Sequence, residues 1–572
     1  MDSFSFPKVT GTHADVFAAV GLADLLSPAT ERCAIVDLGP DFCVEVEPTI
    51  TIETCSHLPV EPGYRFLRPN EKTAVPDVVK RDYVDYPAEK TRAARYNAAR
   101  LEARRAGTEL AADIAADKPR PDWRLYQALN ALQGDDATNK LALAILKESQ
   151  EGFARTICAA IEALRAGQRI VIKWPVALVQ LFNPQAAKGY ARLKPDSTDR
   201  NDATKNAFAD PFLDWLRYRG YFAVAAPYFL GSKGESVRLL CPVPQRVDFR
   251  MLTEAVAKLR GRPAGGSAPK LDSLSVLNLA EILIEVSEQF QAGGFAPAQL
   301  VSGVMIANYQ SMGQAKAVTS LEQLALPDWF PIHTQADSEL WLEILGEHRA
   351  VIRSLRDDRS DEIGLALKYR RYLERRGKTA LTSLAYFMED YGIFLLRERE
   401  QGRRLKQLQT IHMEKIFMQE EGYPDMLSNS GFRAVADAIR SATVKAQAIN
   451  AQAKRVGRRS DYRDVRYDLL PELRRKRSLP GVGPFLEALG EFITSYNAES
   501  ARRLELEKRT GIRRVTTEEW SAFVELMSRQ KDASIIGALL CAYASCREPR
   551  EPSPDVEPNV PEGPMEESSV EA

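Results

Sequence analysis

The segment Arg260–Lys270 reads RGRPAGGSAPK, and the character of the chain changes across it. Its proline, glycine and serine residues do not sustain a helix or a strand, and its charged side chains favour water. On its N-terminal side helical and strand-like patterns alternate, whereas on its C-terminal side helical patterns follow one another. The sequence therefore predicts an α+β fold, with a mixed α/β N-terminal half, a linker over residues 261–270 and a mainly α-helical C-terminal half.

The N-terminal half opens with a helix whose start is marked by a capping pattern. Thr12 precedes the first apolar residues at helical spacing, and Asp15 follows at the spacing of a capping box. Short apolar runs then predict strands over Ala34–Leu38 and Phe42–Val46, with a third strand over Thr49–Thr54. These elements form a small predicted α+β module.

Beyond the linker the pattern is helical almost throughout, and a second, weaker boundary lies near Glu420–Gly431, where the helical pattern breaks. Helices are expected over Leu279–Phe290, Leu340–Arg356, Glu362–Arg376, Leu381–Gln407, Phe432–Arg455, Pro484–Tyr496 and Thr517–Met527. The predicted division is an α+β module at 1–89, a mixed α/β domain at 90–260, the linker at 261–270, a helical domain at 271–420, a basic helical bundle at 421–546 and a disordered acidic tail at 547–572.

Composition places the chain among soluble globular proteins. Of its 572 residues, 45% are hydrophobic and 27% are charged. No apolar run approaches the roughly 18 residues of a membrane span, and the N-terminus lacks a signal-peptide pattern. The seven cysteines form no CxxC pair, which is typical of reduced thiols. We therefore expect a cytoplasmic protein with no membrane partner.

The sequence carries no recognisable catalytic or metal-binding motif. The five histidines are scattered singly, and Cys55-Ser56-His57 has no second ligand pair to complete a zinc site. Phosphate-binding loops of the GxxxxGK[ST] type, GxGxxG turns and GxSxG elbows are also missing from the sequence. We accordingly predict no catalytic residue, no metal, no cofactor and no enzymatic activity.

The overall charge of −1 hides a strong separation of charge along the chain. The tail Arg547–Ala572 holds eight acidic residues and two arginines, whereas the stretch Arg433–Arg477 holds thirteen basic and five acidic residues. Charges that separate in this way are better interpreted by segment than as one sum. A basic stretch either binds nucleic acid or forms a solvated helix surface, and both interpretations remain open at this point.

A polar and basic loop at Asn183–Lys194 (NPQAAKGYARLK) is the first candidate nucleic-acid contact. Lysine and arginine neutralise phosphates, asparagine and glutamine read base edges, and tyrosine stacks on an exposed base. The alternative is an ordinary exposed surface loop. The candidate residues are Asn183, Gln185, Lys188, Tyr190, Arg192 and Lys194.

The second candidate surface lies in the predicted C-terminal bundle. Arg433 and Arg440 are seven residues apart and flank an apolar helical face, so both are expected to point outward and contact the sugar–phosphate backbone. The remaining candidates of this surface are Lys454, Arg455, Arg458, Arg459, Arg463, Arg474, Arg475, Lys476 and Arg477.

Several stretches together resemble the large-subunit family of type I CRISPR effector (Cascade) complexes. They are THADVFAAVGLADLL (Thr12–Leu26), PDWRLYQALNALQ (Pro121–Gln133), NPQAAKG (Asn183–Gly189), LLCPVP (Leu239–Pro244), FRAVADAIR (Phe432–Arg440), VRYDLLPELRRK (Val465–Lys476) and FITSYNAESAR (Phe492–Arg502).

The resemblance spans most of the chain and implies a non-enzymatic subunit of a crRNA-guided complex. Such subunits check the protospacer-adjacent motif on target double-stranded DNA, help to open the duplex into an R-loop, and recruit a helicase–nuclease. Their C-terminal helical bundle is similar to the small subunit that lines the displaced single strand. Implied partners are therefore crRNA, target DNA, the displaced strand, other effector-complex subunits and the helicase–nuclease, with guide pairing supplying most of the specificity.

Two other classes of protein fit the same sequence. One is a helical scaffold protein whose basic surfaces pair with acidic partners, its own tail included. The other is an unrecognised nucleic-acid enzyme whose carboxylates come together only in the fold.

Overall fold

The computed structural model describes residues 1–68, 83–132, 135–168, 170, 172, 174–175, 211–230, 236–262, 265–287, 295–312, 315–457, 462–505 and 513–548. These residues form two compact units. Unit 1 comprises Met1–Pro263, Asn278–Gln291 and Pro297–Leu326, and unit 2 comprises Ala264–Leu277, Ala292–Ala296 and Pro327–Ala572. The α+β class is confirmed, because the strands are concentrated in the N-terminal half and the chain after residue 326 is helical in its regular elements.

The strands and the helices alternate in unit 1. The strands are β1 (Asp2–Pro7), β2 (Arg32–Asp37), β3 (Asp41–Glu47), β4 (Phe66–Arg68), β5 (Tyr83–Asp85), β6 (Ala226–Leu230), β7 (Ser236–Pro244), β8 (Arg246–Asp248), β9 (Val301–Met312) and β10 (Ala315–Ala325). The helices up to β9 are α1 (His13–Leu26), α2 (Ile52–Ser56), α3 (Tyr86–Ala106), α4 (Ala112–Ala116), α5 (Trp123–Ala131), α6 (Asp135–Leu146), α7 (Gln150–Arg165), α8 (Pro211–Val224), α9 (Phe249–Gly261), α10 (Ala268–Ser287) and α11 (Pro297–Leu300).

Unit 1 contains two four-stranded antiparallel sheets and a short parallel pair. The first sheet has the order β1-β3-β2-β8, the second has the order β10-β9-β7-β6, and β4 pairs with β5. Helix α1 packs against the first sheet and β7, and it is buried along almost its whole length. Its start agrees with the prediction, since the side chain of Thr12 accepts a hydrogen bond from the backbone N–H of Ala14 at 3.2 Å.

Helices α1 and α8 cross with their backbones in contact because each has a glycine at the crossing point. A Cβ atom added to Gly21 would lie 1.8 Å from the carbonyl oxygen of Leu216, and one added to Gly220 would lie 2.0 Å from that of Phe17. No side chain larger than a hydrogen atom fits at either position without separating the helices.

Three sequence predictions for unit 1 differ from the structure. The third strand predicted over Thr49–Thr54 is wrong, because Thr51 caps the short helix α2 through a reciprocal capping box with Thr54. Strand β1 was not expected, although it completes the edge of the first sheet. The helical domain predicted for residues 271–420 includes the long strands β9 and β10. Strand β9 pairs with β7 and β10 pairs with β9, which places residues 297–326 in unit 1.

Helices account for the regular elements of unit 2 after residue 326. They are α12 (Gln335–Ser354), α13 (Ser360–Leu373), α14 (Gly377–Glu400), α15 (Thr410–Phe417), α16 (Tyr423–Ser428), α17 (Ser430–Ala442), α18 (Val444–Arg455), α19 (Leu469–Arg477), α20 (Gly483–Glu505), α21 (Thr517–Ser528) and α22 (Ser534–Ser545). The apolar helix α14 lies at the centre of the unit and packs against α13, α18, α19 and α22. The single helix predicted over Phe432–Arg455 is instead two helices, α17 and α18, which meet at Thr443.

The end of the described chain is held in place within unit 2. The backbone N–H of Arg547 donates to the carbonyl of Leu408 at 2.7 Å, and that of Thr410 donates to the carbonyl of Arg547 at 3.0 Å. The disorder predicted from residue 547 is therefore wrong for Arg547 and Glu548, which are bound, and the rest of that prediction, residues 549–572, lies outside the described residues.

Candidate nucleic-acid interface

Helix α17 carries the first of the basic residues that the sequence singled out. Asn429 caps the helix by accepting a hydrogen bond from the N–H of Phe432 at 2.9 Å, which sets the apolar face toward the core. Arg433 is half-exposed, as expected, but its guanidinium donates to the carbonyl of Leu427 at 2.7 Å and pairs with Glu414 at 3.2 Å. Arg433 is thus partly committed to contacts within the unit.

The expectation that Arg440 points outward is wrong, since only 4% of this residue is exposed. Its guanidinium donates to the carbonyls of Tyr543 at 2.9 Å and of Cys546 at 3.1 Å. It also bonds the carboxylates of Asp437 and Glu548, each at 2.6 Å. The carbonyls at the end of a helix need donors from outside it, and Arg440 supplies them for the last helix, α22.

Arg463 is also internal, with 3% of the residue exposed. Its guanidinium bonds Glu499 at 2.8 Å and the hydroxyl of Ser500, and it lies 4.1 Å from the centre of the Tyr496 ring. Its carbonyl accepts from the side chain of Asn450 at 3.0 Å. Arg463 therefore ties the chain between α18 and α19 to α20 and is not available to a phosphate.

Helix α19 divides its four basic residues between the interior and the solvent. Arg477 forms a two-point pair with Glu389, which is fully buried in α14. Burial raises the pKa of Glu389 even though Arg477 acts in the opposite direction. Arg474 is half-exposed and lies 2.9 Å from Asp390, so it is also paired. Arg475 is exposed and Lys476 is half-buried, and neither is paired with another described side chain.

Helix α18 carries exposed basic side chains and has no acidic residue in its sequence. Its sequence, VKAQAINAQAKR, contains no aspartate or glutamate. Lys445, Lys454 and Arg455 are exposed, and none of the three is paired with another described side chain. Residues 445, 452 and 455 recur at helical spacing, so Lys445, Gln452 and Arg455 share a solvent-facing side of the helix. Lys454 is also exposed and extends the positive charge around the last turn, because it lies about half a turn from Lys445. We call Lys445, Gln452, Lys454 and Arg455 together the cationic face of α18.

The structure therefore separates the predicted basic residues into two groups. In the first group, Arg440 and Arg463 are buried, Arg477 is mostly buried, and Arg433 and Arg474 are more exposed but paired with carboxylates. In the second group, Lys454, Arg455, Arg475 and Lys476 remain available among the described residues. The predictions for Asn183, Gln185, Lys188, Tyr190, Arg192, Lys194, Arg458 and Arg459 fall outside the described residues.

Lys445 was not singled out from the sequence, although the signal was present. It is the second residue of α18, a helix of twelve residues between Arg433 and Arg477 that contains no acidic residue. Arg514, which is exposed and precedes α21, was missed for a different reason, since it lies far away in sequence. Its neighbour Arg513 lies 3.6 Å from Asp437 of α17, so Arg513 and Arg514 lie beside α17.

Two histidines of unit 2 are buried and have structural partners. His348 Nδ1 lies 2.9 Å from the hydroxyl of Tyr369, and burial lowers the pKa of His348 to about 4. His412 Nδ1 lies 2.9 Å from a carboxylate oxygen of Glu347. Burial acts to raise the pKa of Glu347, but its hydrogen bond and ion pair with His412 outweigh burial and lower it. Within the described ranges, no group of three or more His, Cys, Asp or Glu side chains is arranged to hold a metal ion.

Comparison of the chain with models of known protein families and with curated proteins finds no match. Among the helices of the described residues, none combines the length and apolar character needed to cross a membrane. The arrangement in unit 2 is that of a helical bundle with an acid-free cationic helix on its surface. Such a surface attracts polyanions and neutralises phosphates, and it reads no base sequence.

Proposed function

We propose that the chain is a nucleic-acid-binding large subunit of a crRNA-guided type I CRISPR effector complex. In this proposal it binds crRNA and target DNA, checks the protospacer-adjacent motif, stabilises the R-loop beside the other subunits in the cytoplasm and recruits a separate helicase–nuclease. The observation that carries the nucleic-acid part is the cationic face of α18. The CRISPR part is supported by the family resemblance, in which the C-terminal bundle accompanies the displaced strand.

The dimensions of α18 suit a short length of single strand. Lys445 and Arg455 are ten residues apart, which is about 15 Å along a helix axis. A strand in B-form geometry advances about 3.4 Å per nucleotide, so the face covers about four nucleotides. Contacts of this kind fix the position of the backbone without sequence preference, as holding a displaced strand requires.

The first experiment measures the binding of a labelled single-stranded DNA oligonucleotide as a function of salt. Each lost phosphate contact should reduce the slope of log affinity against log salt by about 0.7. The triple variant K445A/K454A/R455A should therefore lose affinity at low salt and reduce the slope by about 2. Lys531→Ala removes an exposed lysine from the loop between α21 and α22 and serves as the control. An unchanged slope in the triple variant would reject α18 as the interface.

The second experiment tests the assembly in which the subunit acts. The tagged chain is isolated from its native host, bound RNA is sequenced, and bound proteins are identified by mass spectrometry. Recovery of a repeat-derived guide RNA with several other subunits is the expected result. Recovery of protein without RNA would favour the scaffold alternative, and metal-dependent cleavage by the purified chain alone would favour the enzyme alternative.

Motif recognition is assigned in this proposal to the loop at Asn183–Lys194. Reversing the charge of Lys188 and Arg192 together should abolish motif-dependent duplex binding and leave single-strand binding by α18 in place. Motif-dependent binding that survives the reversal would remove this loop from the proposal.

A further inference from the structure

The last described residues of the chain lie beside the start of α18, the helix that carries the cationic face. Glu548, the last described residue, accepts a hydrogen bond at 2.6 Å from Arg440. Arg440 lies in the last turn of α17, and α18 begins at Val444. Because the backbone of Arg547 is also fixed, the chain departs from the junction of α17 and α18, near the end of α18 that carries Lys445.

The surroundings of this exit point are rich in cations. Arg513 lies 3.6 Å from Asp437, which in turn pairs with Arg440 at 2.6 Å. Arg514 is exposed next to Arg513. Glu548 is therefore an observed example of a carboxylate from the end of the chain bound by one basic side chain of this region, that of Arg440.

The residues that follow Glu548 continue its charge. Residues 549–572 contain one basic residue, Arg550, and seven acidic ones. The acidic residues are Glu551, Asp555, Glu557, Glu562, Glu566, Glu567 and Glu571. Their 24 positions could extend to about 80 Å, several times the roughly 18 Å length of α18, so reach does not limit contact with any part of the cationic face.

We propose that residues 549–572 bind the cationic face of α18 and compete there with nucleic acid. The identity of the competitor as nucleic acid rests on the proposed function, whereas the docking of residues 549–572 does not depend on that function. Tethering gives such a segment an effective concentration in the millimolar range at the face, so even weak ion pairing occupies it. A nucleic acid with many phosphates displaces the segment, whereas a short or weakly bound polyanion does not.

Neutralising the segment should strengthen nucleic-acid binding. The test variant replaces the seven carboxylates with their amides in the full chain, and the control variant scrambles residues 549–572 so that composition and charge are kept. At low salt we expect the neutralised variant to bind single-stranded DNA about 3–10-fold more tightly than the natural chain, with the scrambled variant unchanged. The difference should vanish at high salt because screening removes both interactions. Equal affinity of the natural and neutralised chains at low salt would overturn the competition.

Docking is tested separately by carbodiimide cross-linking, which joins a carboxylate directly to an amine. Mass spectrometry should find residues 549–572 cross-linked to Lys445 and Lys454, with Lys531 as the exposed comparison lysine, and added DNA should suppress these products. Cross-links to Lys445 and Lys454 without any nucleic-acid binding would reject the proposed function and keep the docking. A pattern no richer at these two lysines than at Lys531 would overturn the docking itself.

Discussion

Replacing Arg440 with alanine should destabilise unit 2, because this buried arginine donates hydrogen bonds to carbonyls at the end of helix α22. The substitution removes a charged donor from the carbonyls of Tyr543 and Cys546, although the Tyr543 carbonyl keeps the backbone N–H of Cys546 at 3.2 Å. A hydrogen bond to a charged group contributes about 1.5–3 kcal/mol. The partner carboxylates Asp437 and Glu548 are 34% and 53% exposed and regain water, so their loss adds little. We therefore expect a loss of about 3 kcal/mol.

Hydrogen exchange of α17 and α22 is the suitable assay, because a chain of two units does not unfold in one step. A loss of about 3 kcal/mol corresponds to a fall in protection of about 100-fold in these helices. Arg455→Ala is the matched control, since it removes an exposed arginine and should leave protection unchanged while weakening DNA binding. Unchanged protection in Arg440→Ala, combined with weaker DNA binding than in Arg455→Ala, would refute the structural role.

Three further predictions test the packing, the charges and the pH dependence of the two units. Gly21→Ala should cost about 3 kcal/mol because its Cβ would meet a backbone carbonyl at 1.8 Å, whereas Gly346→Ala, with nothing within 4 Å, should stabilise its helix by about 0.5–1 kcal/mol; hydrogen exchange of α1 and α12 measures the two effects. Arg477→Ala should cost about 3–5 kcal/mol by leaving Glu389 buried and unpaired, and the double variant R477M/E389L should recover most of the lost protection of α14 and α19 in hydrogen exchange. A double variant as unstable as the single one would contradict the reasoning. Burial lowers the pKa of His348 in the folded protein to about 4, against an ordinary value of 6.5, so its contribution to the free energy of unfolding is complete above pH 6.5 and is lost as the pH falls toward 4. His348→Gln should therefore flatten the pH dependence of stability between pH 4 and 6.5. An unaltered slope would show that His348 is not the source of that dependence.

The local features of the fold were predictable where short-range chemistry decides them. The cap at Thr12 and the strands around Phe42 depend on neighbouring residues. The linker predicted over residues 261–270 is wrong at its end, because helix α10 begins at Ala268. Strands β9 and β10 were not predicted, since they are set apart from the helical surroundings by pairing with each other and by the pairing of β9 with the distant β7. Helix α2 replaced a predicted strand because the threonines that favour a strand also form a capping box.

The candidate interface was predictable as a region but not residue by residue. Charge counting located an excess of arginine and lysine between residues 433 and 477. It did not separate Arg440, Arg463 and Arg477, whose guanidinium groups bond carbonyls, hydroxyls and carboxylates within unit 2, from the exposed cations of α18. Helical spacing gives the direction of a side chain relative to its own helix, whereas burial depends on which other helix covers that direction.

The sequence by itself determined the fold class, the acidic end and the concentration of positive charge in the C-terminal half, because these depend on composition and on neighbours along the chain. Only the tertiary structure decided which arginines face solvent and that Glu548 is bound at the junction of α17 and α18. Those outcomes depend on residues about a hundred positions apart, such as Arg440 and Cys546. Contacts at that separation are set by how whole helices pack, and no local pattern records them.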